Sequence, residues 1–70
     1  MRLTGKEILR ATYHEAVRRG CDQKVYGDNA WFSRHNRNRW VRLIGSDGET
    51  ITVSFRANRK AIPVRYTIDA

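Results

Sequence analysis

Between Asp28 and Asp47 the chain carries no acidic residue, and within that interval residues 31–42 read Trp-Phe-Ser-Arg-His-Asn-Arg-Asn-Arg-Trp-Val-Arg. Arg34, Arg37, Arg39 and Arg42 supply planar, multi-donor cations that fit phosphate oxygens and base edges, and Asn36 and Asn38 add amide donors. Trp31, Phe32 and Trp40 supply aromatic faces on which bases can stack. Residue types interleaved in this way suit contact with a polyanion, and nucleic acid, DNA or RNA, is the partner they fit best. The competing role for each aromatic is core packing. Trp40 is the one expected at the surface, because strand alternation groups it with Arg42 rather than with Val41.

The charge balance agrees with that chemistry. The net charge is +7, and eleven of the fourteen cationic residues are Arg. A surplus of this size favours nucleic acid, an anionic membrane or an acidic protein surface as partner and carries no information about fold. The bias toward Arg favours nucleic acid, since Lys alone would supply charge for solubility. No apolar run approaches the length of a membrane span, and the N-terminus lacks the apolar segment of a secretory signal, so a cytoplasmic protein without membrane contact is expected. Cys21 is the only cysteine. It cannot form an intrachain disulfide, and with Asp22 beside it the thiol is read as a small packing residue. His14, Cys21 and His35 lack metal-site spacing, and His35-Asn36 matches only a fragment of a metal-dependent nuclease motif, so neither metal nor cofactor is expected.

Seventy residues give one domain, near the lower size limit for independent folding, which leaves a homodimer or a larger complex open. Thr4 and Glu7 form a capping box for a helix running from residue 5 or 6 to residue 19, and Gly20 stops it. Ile8, Leu9, Tyr13, Ala16 and Val17 recur at helical spacing, with Thr12 inside the stripe, its hydroxyl expected to bond back to the carbonyl of Ile8. Lys24, Val25 and Tyr26 form a short extended piece before a turn at Gly27-Asp28-Asn29. Period-two alternation then predicts strands at residues 30–33, 39–44 and 50–56, a basic turn at 34–38 and a hairpin turn at Ser46-Asp47-Gly48-Glu49. After a second basic loop, Ala57-Asn58-Arg59-Lys60, Pro63 leads into an edge strand with Val64, Tyr66 and Ile68 on one face. The expected architecture is α+β: one N-terminal helix on an antiparallel sheet of three or four strands. Its core should hold Ile8, Leu9, Tyr13, Ala16, Val17, Val41, Leu43, Ile51, Val53, Phe55, Val64, Tyr66 and Ile68.

The sheet face away from the helix should then carry Arg42, Arg56 and Arg65, with the two basic loops at its margin. The expected contact residues are Arg34, Arg37, Asn38, Arg39, Trp40, Arg42, Arg56, Arg59, Lys60 and Arg65.

A histidine among arginines can also act as a general acid or base in RNA cleavage. Here the chain resembles HicA-type toxins, small messenger-RNA-cleaving proteins with a double-stranded-RNA-binding-domain-like fold. The resemblance runs through the helix start Thr4-Gly5-Lys6-Glu7-Ile8-Leu9 and through Ser33-Arg34-His35, where the family has Gly-Ser-His. It continues in Ile51-Thr52-Val53-Ser54-Phe55 and Asn58-Arg59-Lys60-Ala61-Ile62-Pro63. It implies His35 as catalytic base, although the glycine is absent, residues 21–30 read as an insertion, and the family's second helix has no counterpart before Ala70. A third reading is a small phage-type inhibitor, as anti-CRISPR proteins are, that grips a host protein or nucleoprotein complex with the same Arg-Trp cluster. The sequence favours a binding protein over an enzyme, in a regulatory, phage- or mobile-element-type setting.

Overall fold

The computed structural model describes residues 2–25 and 27–70; Met1 and Tyr26, the latter read above as part of an extended piece, lie outside them. Helix α1 spans Gly5–Arg18 and begins as its capping box dictates. The Thr4 hydroxyl accepts from the Glu7 amide at 3.2 Å, and the Glu7 carboxylate accepts from the Thr4 amide at 2.9 Å. Those hydrogen bonds also hold the Glu7 carboxyl below its ordinary pKa. At the other end Gly20 takes φ +79°, and its amide donates to Val17 while that of Cys21 donates to Ala16. This is a Schellman closure, and it turns Cys21 inward to full burial.

Five strands follow: β1 (Gln23–Val25), β2 (Ala30–Phe32), β3 (Trp40–Ser46), β4 (Ile51–Arg56) and β5 (Val64–Ile68). They form one antiparallel sheet in chain order. The α+β class is as expected, with one strand more than the sequence indicated. The addition is β1, whose three residues are too few to display alternation and whose strand geometry rests on pairing with β2. In β3, Leu43 pairs with Val53 but Gly45 with Thr52, so Ile44 is the extra residue of a bulge.

The register assigns every side chain to a face. Trp31, Val41 and Phe55 share one row, Leu43, Val53 and Tyr66 the next, and Ile51 and Ile68 the last. These rows face α1 and close the core with Ala16, Cys21, Ile8, Ala11 and Leu3.

Three of the helix residues expected in the core are not there. Leu9, Tyr13 and Val17 are 38%, 42% and 44% exposed, and so is Val64 of the edge strand β5, at 57%. The helix instead buries the side bearing Thr12, Glu15 and Ala16. Thr12 donates to the Ile8 carbonyl at 2.7 Å, as its place in the sequence suggested. Glu15 can face inward because it is fully partnered. It accepts from Arg18 at 2.9 Å, from Arg19 at 3.1 Å and from the hydroxyl of Tyr66 on β5. Burial opposes ionisation of Glu15, but the bonds from Tyr66, Arg18 and Arg19 more than offset it and hold the carboxyl below its ordinary pKa. Tyr66 shifts the opposite way, up, through burial and its bond to Glu15.

Candidate nucleic-acid interface

Among the described residues no helix covers the second face of the sheet. Its first row runs Gln23, Phe32, Trp40, Arg56 and its second Val25, Ala30, Arg42, Ser54, Arg65, with Thr52 and Thr67 beyond. None of these residues is acidic. Arg42, Arg56 and Arg65 therefore share the open face, and Trp40 lies among them. Ala30 and Ser54 at its centre are nevertheless buried; the long side chains in register with them are Arg42 and Arg65.

Two aromatic rings on this face are each covered by a guanidinium. Arg42 lies 4.9 Å from the ring centre of Trp40 and Arg37 5.5 Å from that of Phe32. Arg42 is further held by Asp28 at 2.9 Å, and its Nε is buried without a hydrogen-bond partner among the described residues. Stacked in this way, each arginine offers its outer flat side to a further planar group while its charge stays near the sheet. Phe32 was not among the expected contact residues. Its position next to Trp31 was the available signal, because neighbours in a strand point to opposite faces and Trp31, 4% exposed, takes the core side.

The turn between β2 and β3 is ordered by small polar side chains. The Ser33 hydroxyl accepts from the amides of His35 and Asn36, and the Asn36 side-chain oxygen accepts from the Asn38 amide at 3.0 Å. The β4–β5 loop is fastened from below by Arg56, which donates to the carbonyls of Asn58 and Arg59. The two connections meet in an open cleft lined by Asn36, Asn38, Asn58, Arg59 and Lys60. Both basic segments found in the sequence thus converge at one end of the sheet.

Two expected contact residues are engaged elsewhere. Arg34 pairs with Asp22 at 3.1 Å beside β1, although most of its side chain remains exposed. Arg39 shares the parity of Val41 and so points to the helix side. Its Nε donates to the Arg19 carbonyl at 2.6 Å, its Nη1 donates to the Ala57 carbonyl at 3.3 Å, and its guanidinium lies 5.0 Å from the Phe55 ring centre. Arg39 ties the helix end to the β4–β5 loop and is no part of the open face. His35 also lies off that face, in a depression shared with Val17, Gly20, Asp22 and Arg34. Among the described residues no group of three His, Cys, Asp or Glu is placed to hold a metal ion. The Cys21 thiol is pushed up in pKa by burial, with Asp22 adding to the shift and Arg39 opposing it.

Comparison with known proteins gives no match, whether to a family model, a curated protein or a solved structure. No helix among the described residues is long and apolar enough to cross a membrane.

Proposed function

We propose that this protein binds nucleic acid, laying a single strand across the open sheet face. The observation that carries this reading is the pairing of Phe32 with Arg37 and of Trp40 with Arg42 on a face that also bears Arg56 and Arg65. Such a surface combines stacking platforms with a cationic track and has no dependence on base identity. The aromatics lie on the strands themselves, not on a protruding ribbon or helix, which favours unpaired bases over a duplex groove. Binding of this kind suits a regulatory role in the cytoplasm.

Tryptophan fluorescence tests it. Trp31 is buried and Trp40 sits on the face, so ligand-dependent quenching is expected to come from Trp40 and to vanish in Trp40→Phe. Single-stranded DNA and RNA and duplex DNA are to be compared. With about six phosphates of a single strand contacted, affinity should fall roughly three-hundredfold between about 50 and about 200 mM salt. Absence of binding to all three ligands at the lower salt would sink the reading.

One observation supports a second reading. Leu9, Tyr13 and Val17 make an exposed apolar line along α1, at the spacing by which a helix presents anchors to a protein partner. A host protein or nucleoprotein complex would be the target, and failure of every nucleic-acid titration together with specific capture of such a complex would favour it.

A further inference from the structure

The β2–β3 and β4–β5 connections contain the same turn twice. In the first, the Asn36 side-chain oxygen accepts from the Asn38 amide at 3.0 Å and the Asn36 carbonyl from the Arg39 amide at 2.9 Å. In the second, the Asn58 side-chain oxygen accepts from the Lys60 amide at 2.9 Å and the Asn58 carbonyl from the Ala61 amide at 3.2 Å. Each turn begins Asn-Arg, and both line the same cleft. An Asx turn fixes its amide group, because the oxygen must face the backbone N–H and the NH₂ is left to point away.

The supply of acceptors in this corner is correspondingly low. The side-chain oxygens of Asn36 and Asn58 and the carbonyls of Asn36, Ala57, Asn58 and Arg59 already accept hydrogen bonds, which leaves the side-chain oxygen of Asn38 as the open side-chain acceptor among the described lining residues. The donors are in the opposite condition. The NH₂ groups of Asn36 and Asn58, the Arg59 guanidinium and the Lys60 ammonium donate to nothing among the described residues. No carboxylate lines the cleft. Two oriented amides and two cations, with the Asn38 side chain as the one further polar group in the lining, outnumber the acceptors left there and suit a ligand that only accepts and is negatively charged.

We propose that this cleft is an oxyanion site that takes one phosphate group of the polynucleotide backbone. It opens at the end of the sheet where Trp40 and Arg56 lie in register, so a strand with a base against Trp40 would have a neighbouring phosphate to place there. The assignment of that phosphate to a polynucleotide rests on the function proposed above; the oxyanion chemistry of the cleft does not.

The test is the double variant Asn36→Asp with Asn58→Asp. Aspartate keeps the oxygen that holds each turn, so the fold is retained, but it replaces each outward NH₂ by an anionic oxygen. Lys6→Ala with Arg10→Ala lowers the net charge equally on the exposed side of the helix and serves as control. Against single-stranded oligo-dT the aspartate variant should bind about tenfold more weakly or worse, as expected for loss of hydrogen bonds to a charged group. Its log–log salt slope should also be shallower by about 0.7, one single-strand phosphate contact. The control should change much less. A methylphosphonate oligonucleotide, whose backbone is uncharged, should show little difference between wild type and the aspartate variant. If wild type binds oligo-dT and the aspartate variant matches the control, the site is refuted while the nucleic-acid reading stands. If wild type binds no oligonucleotide, that reading fails and inorganic phosphate becomes the probe. Saturable shifts of the Asn36 and Asn58 side-chain amide resonances in wild type, absent from the variant, then keep the oxyanion site as one for free phosphate. No shift at millimolar phosphate overturns it.

Discussion

Arg37 and Arg39 stand two residues apart in one turn and have opposite fates. Arg37 is exposed and rests on Phe32 at the open face, whereas Arg39 is drawn to the helix side, half-buried against Phe55 with two carbonyl partners. The two faces of the sheet use their arginines differently in part. On the covered face arginines serve as fastenings: Arg19 and Arg39 lie over the Phe55 ring, and Arg19 also bonds Glu15. On the open face Arg37 and Arg42 lie over aromatic rings, Arg37 exposed and Arg42 also paired with Asp28, while Arg56 holds the β4–β5 loop. Charge and composition therefore do not decide which face an arginine occupies; the parity of a residue within its strand does.

The contrast can be broken from the covered side first. Glu15→Gln should cost about 1–3 kcal/mol at neutral pH, since charge-assisted bonds from Arg18, Arg19 and Tyr66 are weakened in a buried setting. The pH dependence follows in sign. The Glu15 carboxyl lies below its ordinary value of 4.5 in the folded protein, so its contribution is fully present above that value and is lost as pH falls through the lower folded one. Urea unfolding of the two proteins should therefore give curves that are separate at pH 7 and converge in acid; a constant gap would refute the assignment. Arg39→Ala should cost about 1–2 kcal/mol in the same assay, because it leaves the Arg19 and Ala57 carbonyls without this donor. It should leave the salt slope of oligonucleotide binding nearly unchanged. Arg37→Ala sharpens the comparison from the other side, with a stability change within about 0.5 kcal/mol, as for surface substitutions generally. It should nevertheless weaken binding and make the salt slope shallower. An Arg37→Ala protein that bound as wild type would remove the turn from the interface.

Much of this arrangement is legible in the chain itself. The Thr4–Glu7 capping box, the Gly20 stop, the alternation of β4 and the resulting company of Arg42, Arg56 and Arg65 all follow from local rules. Arg39 was legible too: counting back from Val41 by two assigns it to the core side. The rotation of the helix was not. Leu9, Tyr13 and Val17 make as good a stripe as Ile8, Thr12 and Ala16, and the choice between them is made by a carboxylate partner, Tyr66, 51 residues from Glu15. The oxyanion cleft lay between these extremes. The repeated Asn-Arg pair was visible, but its meaning depends on two loops meeting in space.

The chain-order sheet has a kinetic consequence as well. Every strand pairs with the strand next to it in sequence, so each ladder closes through a short connection and the entropy lost at each step is small. Rapid folding by successive hairpins is the natural outcome of such local contacts. Docking of α1 on the sheet is the long-range closure, made through the Leu3 amide on the Gly48 carbonyl, Arg39 on the Arg19 carbonyl and Tyr66 on Glu15, and by the same reasoning it should come last. A nascent chain would thus acquire its open, cationic face as the strands zip together and complete its core when the first helix meets the last strand.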